Sequence, residues 1–196
     1  MYTITTDRLL LREITEYDIE SLITILNEPK ILDSILEVPR PFTDRVASAW
    51  IDEQRKGGRM AQHYPFGVSL WPDGERLIGY AALTVERQNE RARLQFCISE
   101  KYCHQRYATE CVKAIIDFGF SMLGIHLVTA AHLSCNKAAA RVLEKAGLLE
   151  EGRLRDRVLR HDTFNDITIW STIQGEWQSK GTSASEVCED SVAPTY

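Results

Sequence analysis

The chain of 196 residues is 44% hydrophobic and 26% charged, and it carries a net charge of −5. These values suit one soluble domain with a sizeable core, and they argue against a broad nucleic-acid-binding surface. The charged N-terminus lacks the apolar core of a signal peptide, and no apolar run reaches the ~18 residues that a membrane helix needs. We therefore expect a cytoplasmic protein that binds neither nucleic acid nor membrane.

The N-terminal part predicts a strand over residues 3–12 and a helix capped by Asp18. Three prolines, at positions 29, 39 and 41, break the next stretch into short turns. A second helix is predicted from residues 43–44 to about residue 55, where a Lys-Gly-Gly sequence ends it. Its expected buried side chains are Val46, Ala49 and Trp50.

The remainder predicts a mostly antiparallel sheet flanked by helices, an α+β fold. The expected strands are residues 64–71, 77–86, 92–99 and 126–133, followed by a hairpin of 152–160 and 164–173. The expected helices are residues 109–123 and 137–145, the second ended by Gly147. Small polar and acidic residues predominate after residue 177, so we predict one domain over 1–177 and a disordered tail over 178–196.

The five cysteines form an odd set without a Cys-x-x-Cys spacing. This pattern favours neither a disulfide framework nor a zinc site, and we expect no metal. Cys103 next to His104 leaves open a nucleophile with its base, although adjacent side chains usually point apart.

Five stretches, in this order, resemble one superfamily: TDRLLLREITEYDIESL, LIGYAALTVE, YATECVKAIIDFGF, NKAAARVLEKAGL and DITIWSTIQGEW. They are similar to the GNAT superfamily, and most similar to its ribosomal-protein-alanine N-acetyltransferases and related small-molecule acetyltransferases. The resemblance runs from about residue 6 to residue 177. It implies a GNAT fold in which the fourth and fifth strands splay apart and acetyl-CoA lies in the cleft between them.

The resemblance also implies a binding site for the cofactor, whose pyrophosphate would meet the helix that begins near Thr109. A helix N-terminus suits phosphate because it offers free N–H groups and a partial positive charge. The implied cofactor-binding residues are Phe96, Cys97, Ile98, His104, Gln105, Arg106, Tyr107, Ala108, Thr109, Asn136 and Ala139.

The loop over residues 103–108 departs from the family pattern Q/R-x-x-G-x-G/A. Arg106 stands where the central glycine is usual, and His104 where a further glycine is frequent. Glycine at these positions permits φ > 0 and close approach of the phosphate. Three roles are open for Arg106: it binds the pyrophosphate by its side chain, it fills the cleft and excludes the cofactor, or it pairs with Glu110.

The usual catalytic positions also differ from the family. Arg93 and Gln95 replace an acidic residue and a glycine on the fourth strand, and Ala139 and Leu143 replace hydroxyl residues that protonate the leaving thiolate.

Two other polar residues are candidate catalytic groups. His132 is a candidate base, with a satisfied core histidine as the alternative. Asp166 lies where an amine would enter, with a turn-stabilising aspartate as the alternative.

Three functions remain open. The first is transfer of an acetyl group from acetyl-CoA to an amine, of a small molecule or of a protein N-terminus. The second is CoA-free acid/base chemistry of an isomerase, cyclase or lyase, with His104, Arg106 and His132 acting on a small molecule. The third is a non-catalytic binding module. Our prediction is the first, an N-acetyltransferase that acts on a small-molecule or peptide amine as a monomer or homodimer.

Overall fold

The structure, a computed structural model, describes residues 2–35, 41–59, 63–72, 74–179 and 186–189. Its strands are β1 (Tyr2–Thr5), β2 (Leu9–Arg12), β3 (His63–Leu70), β4 (Leu77–Glu86), β5 (Arg91–Ile98), β6 (Leu127–Leu133), β7 (Leu149–Arg160), β8 (Thr163–Ile173) and β9 (Glu186–Glu189). Within the described residues these nine strands form one sheet in the order β7-β8-β6-β5-β4-β3-β2-β1-β9. Neighbouring strands are antiparallel except β5 and β6, which run parallel.

Helices cover both faces of this sheet. They are α1 (Ile19–Leu26), α2 (Pro29–Ser34), α3 (Asp44–Arg59), α4 (Tyr107–Ser121), α5 (Lys137–Ala146) and α6 (Gln174–Ser179). Gly147 ends α5 in a left-handed conformation with φ = 104°, as predicted. In the described part of the chain, no helix is both long and apolar enough to cross a membrane.

The sheet separates two apolar layers. On one face, α4 buries Ile115, Ile116 and Phe118 against the strands. On the other face, α1 and α3 pack on β4, where Trp50 contacts Tyr80 with 5.1 Å between ring centroids. Helices on both sides of a mostly antiparallel sheet confirm the predicted α+β fold.

Some predicted boundaries are wrong. The strand over residues 3–12 is two strands, β1 and β2, paired across a turn. Helix α3 continues to Arg59 through the Lys-Gly-Gly sequence, since a glycine inside a helix costs only about 1 kcal/mol and does not break it. Its buried face carries Ala47 with Trp50, whereas Ala49 is exposed. The predicted break at Pro39 lies outside the described residues.

Asp18 does not cap α1 with its side chain, contrary to the prediction. Its buried carboxylate accepts a hydrogen bond from each terminal nitrogen of Arg12, both at 2.8 Å, and one from the Thr15 N–H at 2.8 Å. Burial acts to raise the pKa of Asp18, but these hydrogen bonds and the charge of Arg12 together hold it below its usual value. This ion pair fixes the start of α1 against β2.

The C-terminal region corrects the predicted disordered tail at six residues, two at the end of α6 and four in β9. β9 pairs antiparallel with β1, with Tyr2 opposite Glu189 and Thr5 opposite Glu186. The prediction is therefore wrong for residues 178–179 and for Glu186–Glu189, and residues 180–185 and 190–196 lie outside the described part of the chain.

A buried acid joins α4 to α6. The Trp177 indole N–H donates to Oδ1 of Asp117 at 2.5 Å, while Oδ2 has no hydrogen-bond partner among the described residues. Burial raises the pKa of Asp117 to about 6, although Trp177 and Lys113 act to lower it. The carboxylate is therefore held in a site that disfavours its charge.

Candidate active site

A cleft opens between β5 and β6. The two strands pair in parallel from Arg91 opposite Leu127 to Leu94 opposite Ala130. Their pairing ends there, although each strand continues for several residues. Because the first predicted strand is in fact two, β5 and β6 are the fourth and fifth strands of the prediction. The splay therefore lies where the resemblance implies.

The outer part of β5 has an open edge. Among the described strands only β4 pairs with β5 beyond Leu94. Backbone groups alternate in direction along a strand, and those of Cys97 and Ser99 point towards β4. The backbone groups of Phe96 and Ile98 therefore remain for a ligand on the cleft side, whereas those of Cys97, contrary to the prediction, do not. Gly79 allows β4 to approach β5 closely, because a Cβ on this residue would lie 2.3 Å from the Cys97 carbonyl oxygen. Burial raises the pKa of Cys97 to about 12, so its thiol stays protonated at neutral pH.

The loop over residues 103–108, which we term the cofactor loop, keeps a left-handed backbone without glycine. His104 has φ = 63° and Arg106 has φ = 68°. These are the two positions where the family usually places glycine. A side chain in this conformation costs roughly 1–2 kcal/mol, so neighbouring contacts must offset the strain.

The first turn of α4 offers hydrogen-bond donors to the cleft. The Glu110 N–H donates to the Arg106 carbonyl at 3.1 Å. The preceding N–H groups, of Tyr107, Ala108 and Thr109, have no acceptor within the described residues, and Arg106 gives this turn no side-chain cap. Free N–H groups at the positive end of a helix dipole bind anions, phosphates among them. The arrangement fits a pyrophosphate.

The polar side chains of the cofactor loop face outward. His104, Gln105 and Arg106 are exposed, and no described residue forms a hydrogen bond or ion pair with the Arg106 guanidinium. The alternative in which Arg106 pairs with Glu110 is wrong, because the Glu110 carboxylate binds Arg8 at 2.6 Å. Arg106 therefore keeps its charge available beside the free N–H groups.

Arg8, in the turn between β1 and β2, contacts the cofactor loop and the first turn of α4. Its Nε and Nη2 donate to Oε2 of Glu110 at 2.8 and 2.6 Å, and its Nη1 donates to the Gln105 carbonyl at 3.1 Å. Its guanidinium carbon also lies 4.6 Å from the centre of the Tyr107 ring. Sequence reasoning missed this residue because its partners lie about a hundred positions away in the chain.

Asn136 and Ala139 lie on the β6 side of the cleft, where β6 leads into α5. The Oδ1 of Asn136 accepts the Ala139 N–H at 3.0 Å and so caps the helix. These two polar atoms are bonded to each other, and the role of both residues in cofactor binding stays a prediction.

His132 is a satisfied core histidine. Its side chain is 6% exposed, its Nδ1 lies 2.7 Å from the Leu133 carbonyl, and its Nε2 accepts the Trp170 indole N–H at 3.0 Å. The carbonyl is an acceptor and the indole a donor, so the ring is neutral with its proton on Nδ1. Neither nitrogen is free to take a proton from an amine. This geometry argues against His132 as the base and agrees with the alternative, a core histidine whose hydrogen bonds are satisfied.

Asp166 also has its carboxylate bound. Oδ1 accepts the Asp156 N–H at 2.8 Å, and Oδ2 accepts the Arg153 Nε at 2.5 Å. The Asp156 hydrogen bond and then the Arg153 interactions hold the pKa of Asp166 below its usual value. Asp166 thus stabilises an irregular part of β7, as its alternative reading proposes, and it is a weak base.

A row of polar side chains crosses the sheet where the cleft begins. Residues directly opposite one another on paired strands share a face of the sheet. By register this row is His63, Thr84, Arg93, Thr129 and Ser171. It lies on the face covered by α1 and α3, and Nδ1 of His63 is 3.0 Å from the Thr84 hydroxyl. Polar residues at alternate positions of apolar strands were the signal that could have revealed it.

A family model described as "Acetyltransferase (GNAT) domain" matches residues 8–149. The uncharacterized N-acetyltransferase YoaA of Bacillus subtilis is 25% identical over 176 residues, which are 86% of this chain and 95% of that protein. The ribosomal-protein-S5-alanine acetyltransferase of Vibrio fischeri superposes with a TM-score of 0.78 at 16% identity, covering 89% of this chain and 98% of that one. RimL, a ribosomal L7/L12 alpha-N-protein acetyltransferase solved with coenzyme A, gives 0.78 at 15% identity, covering 87% and 97%.

The chain therefore belongs to the GNAT acetyltransferase family. Membership confirms the predicted resemblance, the GNAT fold and the prediction of an enzyme of the N-acetyltransferase type. In the described ranges no group of three or more His, Cys, Asp or Glu side chains could hold a metal ion.

Proposed function

We propose that the protein transfers the acetyl group of acetyl-CoA to the amine of a small molecule or of a protein N-terminus. The observation that carries this proposal is the left-handed cofactor loop, with free N–H groups at the start of α4 beside the open edge of β5. Both features match what the family's cofactor requires, even though the glycines are absent.

In this proposal the cofactor is held by two sets of groups. The N–H groups of Tyr107, Ala108 and Thr109 would bind the pyrophosphate, and the exposed guanidinium of Arg106 would add charge-assisted hydrogen bonds in place of the missing glycine. Backbone groups of Phe96 and Ile98 would form hydrogen bonds with the amides of the pantetheine arm. When bound, acetyl-CoA supplies an acetyl group activated as a thioester.

Catalysis in this site rests on positioning. The two candidate groups named from the sequence are engaged, His132 by Trp170 and Asp166 by Arg153, and neither is a free base. Holding two reactants in line can by itself supply a large part of a rate enhancement. The amine would attack the acetyl carbonyl directly in a ternary complex from the side of α1 and α3, where the polar row reaches the cleft. The carbon–sulfur bond would break as the amide forms, and water would carry the proton lost by the amine to the departing thiolate.

Related proteins guide the choice of acceptor. The names of two solved neighbours specify a ribosomal-protein-S5-alanine and a ribosomal L7/L12 N-terminus. We infer an acceptor of this kind, or a small amine, for a cytoplasmic enzyme that acts as a monomer or homodimer. The CoA-free alternative keeps His104 and Arg106 but loses its third group, because both ring nitrogens of His132 are occupied. The family match likewise does not favour the non-catalytic alternative.

Calorimetric titration of acetyl-CoA into the purified protein tests the cofactor site, with Arg106→Ala and Arg106→Gly as variants. We expect micromolar binding by the unaltered protein and about tenfold weaker binding by Arg106→Ala, which loses the guanidinium but keeps the Cβ. Arg157→Ala, an exposed arginine on β7, is the matched control and should bind normally. Tighter binding by both variants would mean that Arg106 obstructs the site. Absence of binding by the unaltered protein would overturn the proposal.

A further inference from the structure

Arg8 contacts the strained part of the cofactor loop from both sides. Its Nη1 bonds to the carbonyl of Gln105, and its guanidinium carbon lies 4.6 Å from the centre of the Tyr107 ring. Gln105 and Tyr107 are the residues directly before and after Arg106, whose φ is 68°. One side chain thus spans the left-handed residue and restricts the loop to this backbone shape.

Glu110 completes this arrangement. Oε2 accepts both Arg8 nitrogens at 2.8 and 2.6 Å, and Oε1 accepts the Thr6 hydroxyl at 2.6 Å and the Arg8 N–H at 3.1 Å. Four donors therefore hold a carboxylate that is 19% exposed, and an Arg–carboxylate pair of this kind is stronger than a neutral hydrogen bond.

The charge of Glu110 matters for an anion site. A carboxylate in the first turn of α4 would repel a phosphate at the free N–H groups and could itself bind them. Bound to Arg8, it is neutralised and held among Thr6 and Arg8. Arg8 thereby performs two tasks, since it maintains the shape of the loop and it balances a negative charge beside the cofactor.

We propose that Arg8 is a positioning residue for acetyl-CoA: together with Glu110 it locks the cofactor loop in a phosphate-binding shape that glycine provides elsewhere in the family. The inference rests on the proposed function. In this proposal Arg8 makes no contact with the cofactor itself. The affinity for acetyl-CoA nevertheless depends on this residue of the turn between β1 and β2.

The test measures acetyl-CoA affinity by calorimetry for the unaltered protein, Arg8→Ala, Arg8→Lys and the double variant Arg8→Ala/Glu110→Gln. We expect about tenfold weaker binding by Arg8→Ala, because the loop loosens and the Glu110 charge is released. Arg8→Lys keeps the charge but cannot bond to Gln105 and Glu110 together, so its affinity should be intermediate. The double variant should recover part of the loss, since it lacks the freed carboxylate.

Arg45→Ala, at an exposed position on α3, is the control and should bind normally. Circular dichroism at the titration temperature verifies folding, and Arg8→Lys carries the test if Arg8→Ala does not fold. No binding by the unaltered protein would overturn the proposed function and this inference with it. Normal binding by the unaltered protein together with equal binding by Arg8→Ala and Arg8→Lys would overturn the inference alone. A double variant no better than Arg8→Ala would reject the charge-balancing task.

Discussion

The two sides of the cleft, that of β5 and α4 and that of β6 and the last hairpin, use polar residues in opposite ways. At the start of α4, Arg106 and His104 are exposed, and the first N–H groups of the helix have no acceptor within the described residues. At the end of β6 and in the last hairpin, His132 and Asp166 have their nitrogens and oxygens bound to protein partners. The residue type alone does not distinguish these cases, since arginine, histidine and aspartate are all common in active sites.

Bonded and unpaired polar groups contribute to different free energies, of unfolding and of ligand binding respectively. A buried polar group that is fully bonded stabilises the fold, and its loss leaves a partner unsatisfied. A group that is exposed and unpaired stabilises nothing within the protein and is available to a ligand. We therefore expect substitutions at the fully bonded residues to change the free energy of unfolding, and substitutions in the cofactor loop to change affinity for acetyl-CoA.

The largest loss of stability is expected for Arg12→Ala. This change leaves the carboxylate of Asp18, whose side chain is 3% exposed, buried without its counter-charge, and breaking such a pair costs about 3–5 kcal/mol. Urea unfolding at pH 7 measures it, with Arg45→Ala as a control that should change the unfolding free energy by less than about 0.5 kcal/mol. The pKa of Asp18 is lowered in the folded state, so the pair's contribution is present above pH ~4 and declines as pH falls below it. A loss of unfolding free energy below about 1 kcal/mol would contradict the expectation that buried, fully bonded residues stabilise the fold.

His132→Ala should destabilise the protein by about 1–3 kcal/mol, because the Trp170 N–H and the Leu133 carbonyl lose their partner. The turnover number per folded molecule, measured with any amine that the enzyme accepts, should change by less than about threefold. Trp170→Phe, which removes the indole donor together with part of a buried ring, should likewise lower stability and leave turnover nearly unchanged. A hundredfold loss of turnover at unchanged stability would identify His132 as a base. The bonded residues would then take part in catalysis and not only in stability.

The smallest effect is expected for Asp117→Asn, and it has the opposite sign. The pKa of Asp117 is raised to about 6 in the folded protein, so the folded state binds more protons than the unfolded state between pH ~4 and 6. Its contribution is therefore favourable below pH ~4 and is lost as pH rises through 6. At pH 7 the uncharged asparagine should gain about 1–2 kcal/mol relative to aspartate. Denaturant midpoints for both proteins from pH 4 to 8 measure this; a gain independent of pH would reject the assignment.

Most of the fold could be predicted from local patterns. The strand Leu77–Glu86 has the predicted boundaries, and Gly147 ends α5 as expected. Apolar periodicity and capping residues act over a few positions, so they can be recognised in a single sequence. β9 was not predictable in this way, because a short polar segment becomes a strand only through its long-range pairing with β1.

In the candidate site, too, long-range contacts could not be predicted from local spacing. The spacing of four residues between Arg106 and Glu110 suggested a helical ion pair, but Glu110 binds Arg8, 102 positions away. A competing partner from a turn distant in sequence overrides the local rule, and only the folded chain reveals it. The residue type of His132 likewise suggests a base, whereas Trp170 on β8, 38 positions away in the chain, determines its hydrogen bonding.

The pairing of β1 with β9 has a consequence for how the chain folds. Strands close in sequence can pair early, whereas this pair joins the two ends of the described chain and must await nearly all the residues between them. Until then, the outer edge of β1 presents unpaired backbone groups, and an open edge is where another chain can add a strand. β9 therefore moves the exposed edge from β1 to a strand of four residues that carries two glutamates, and short, charged edge strands resist the addition of another chain.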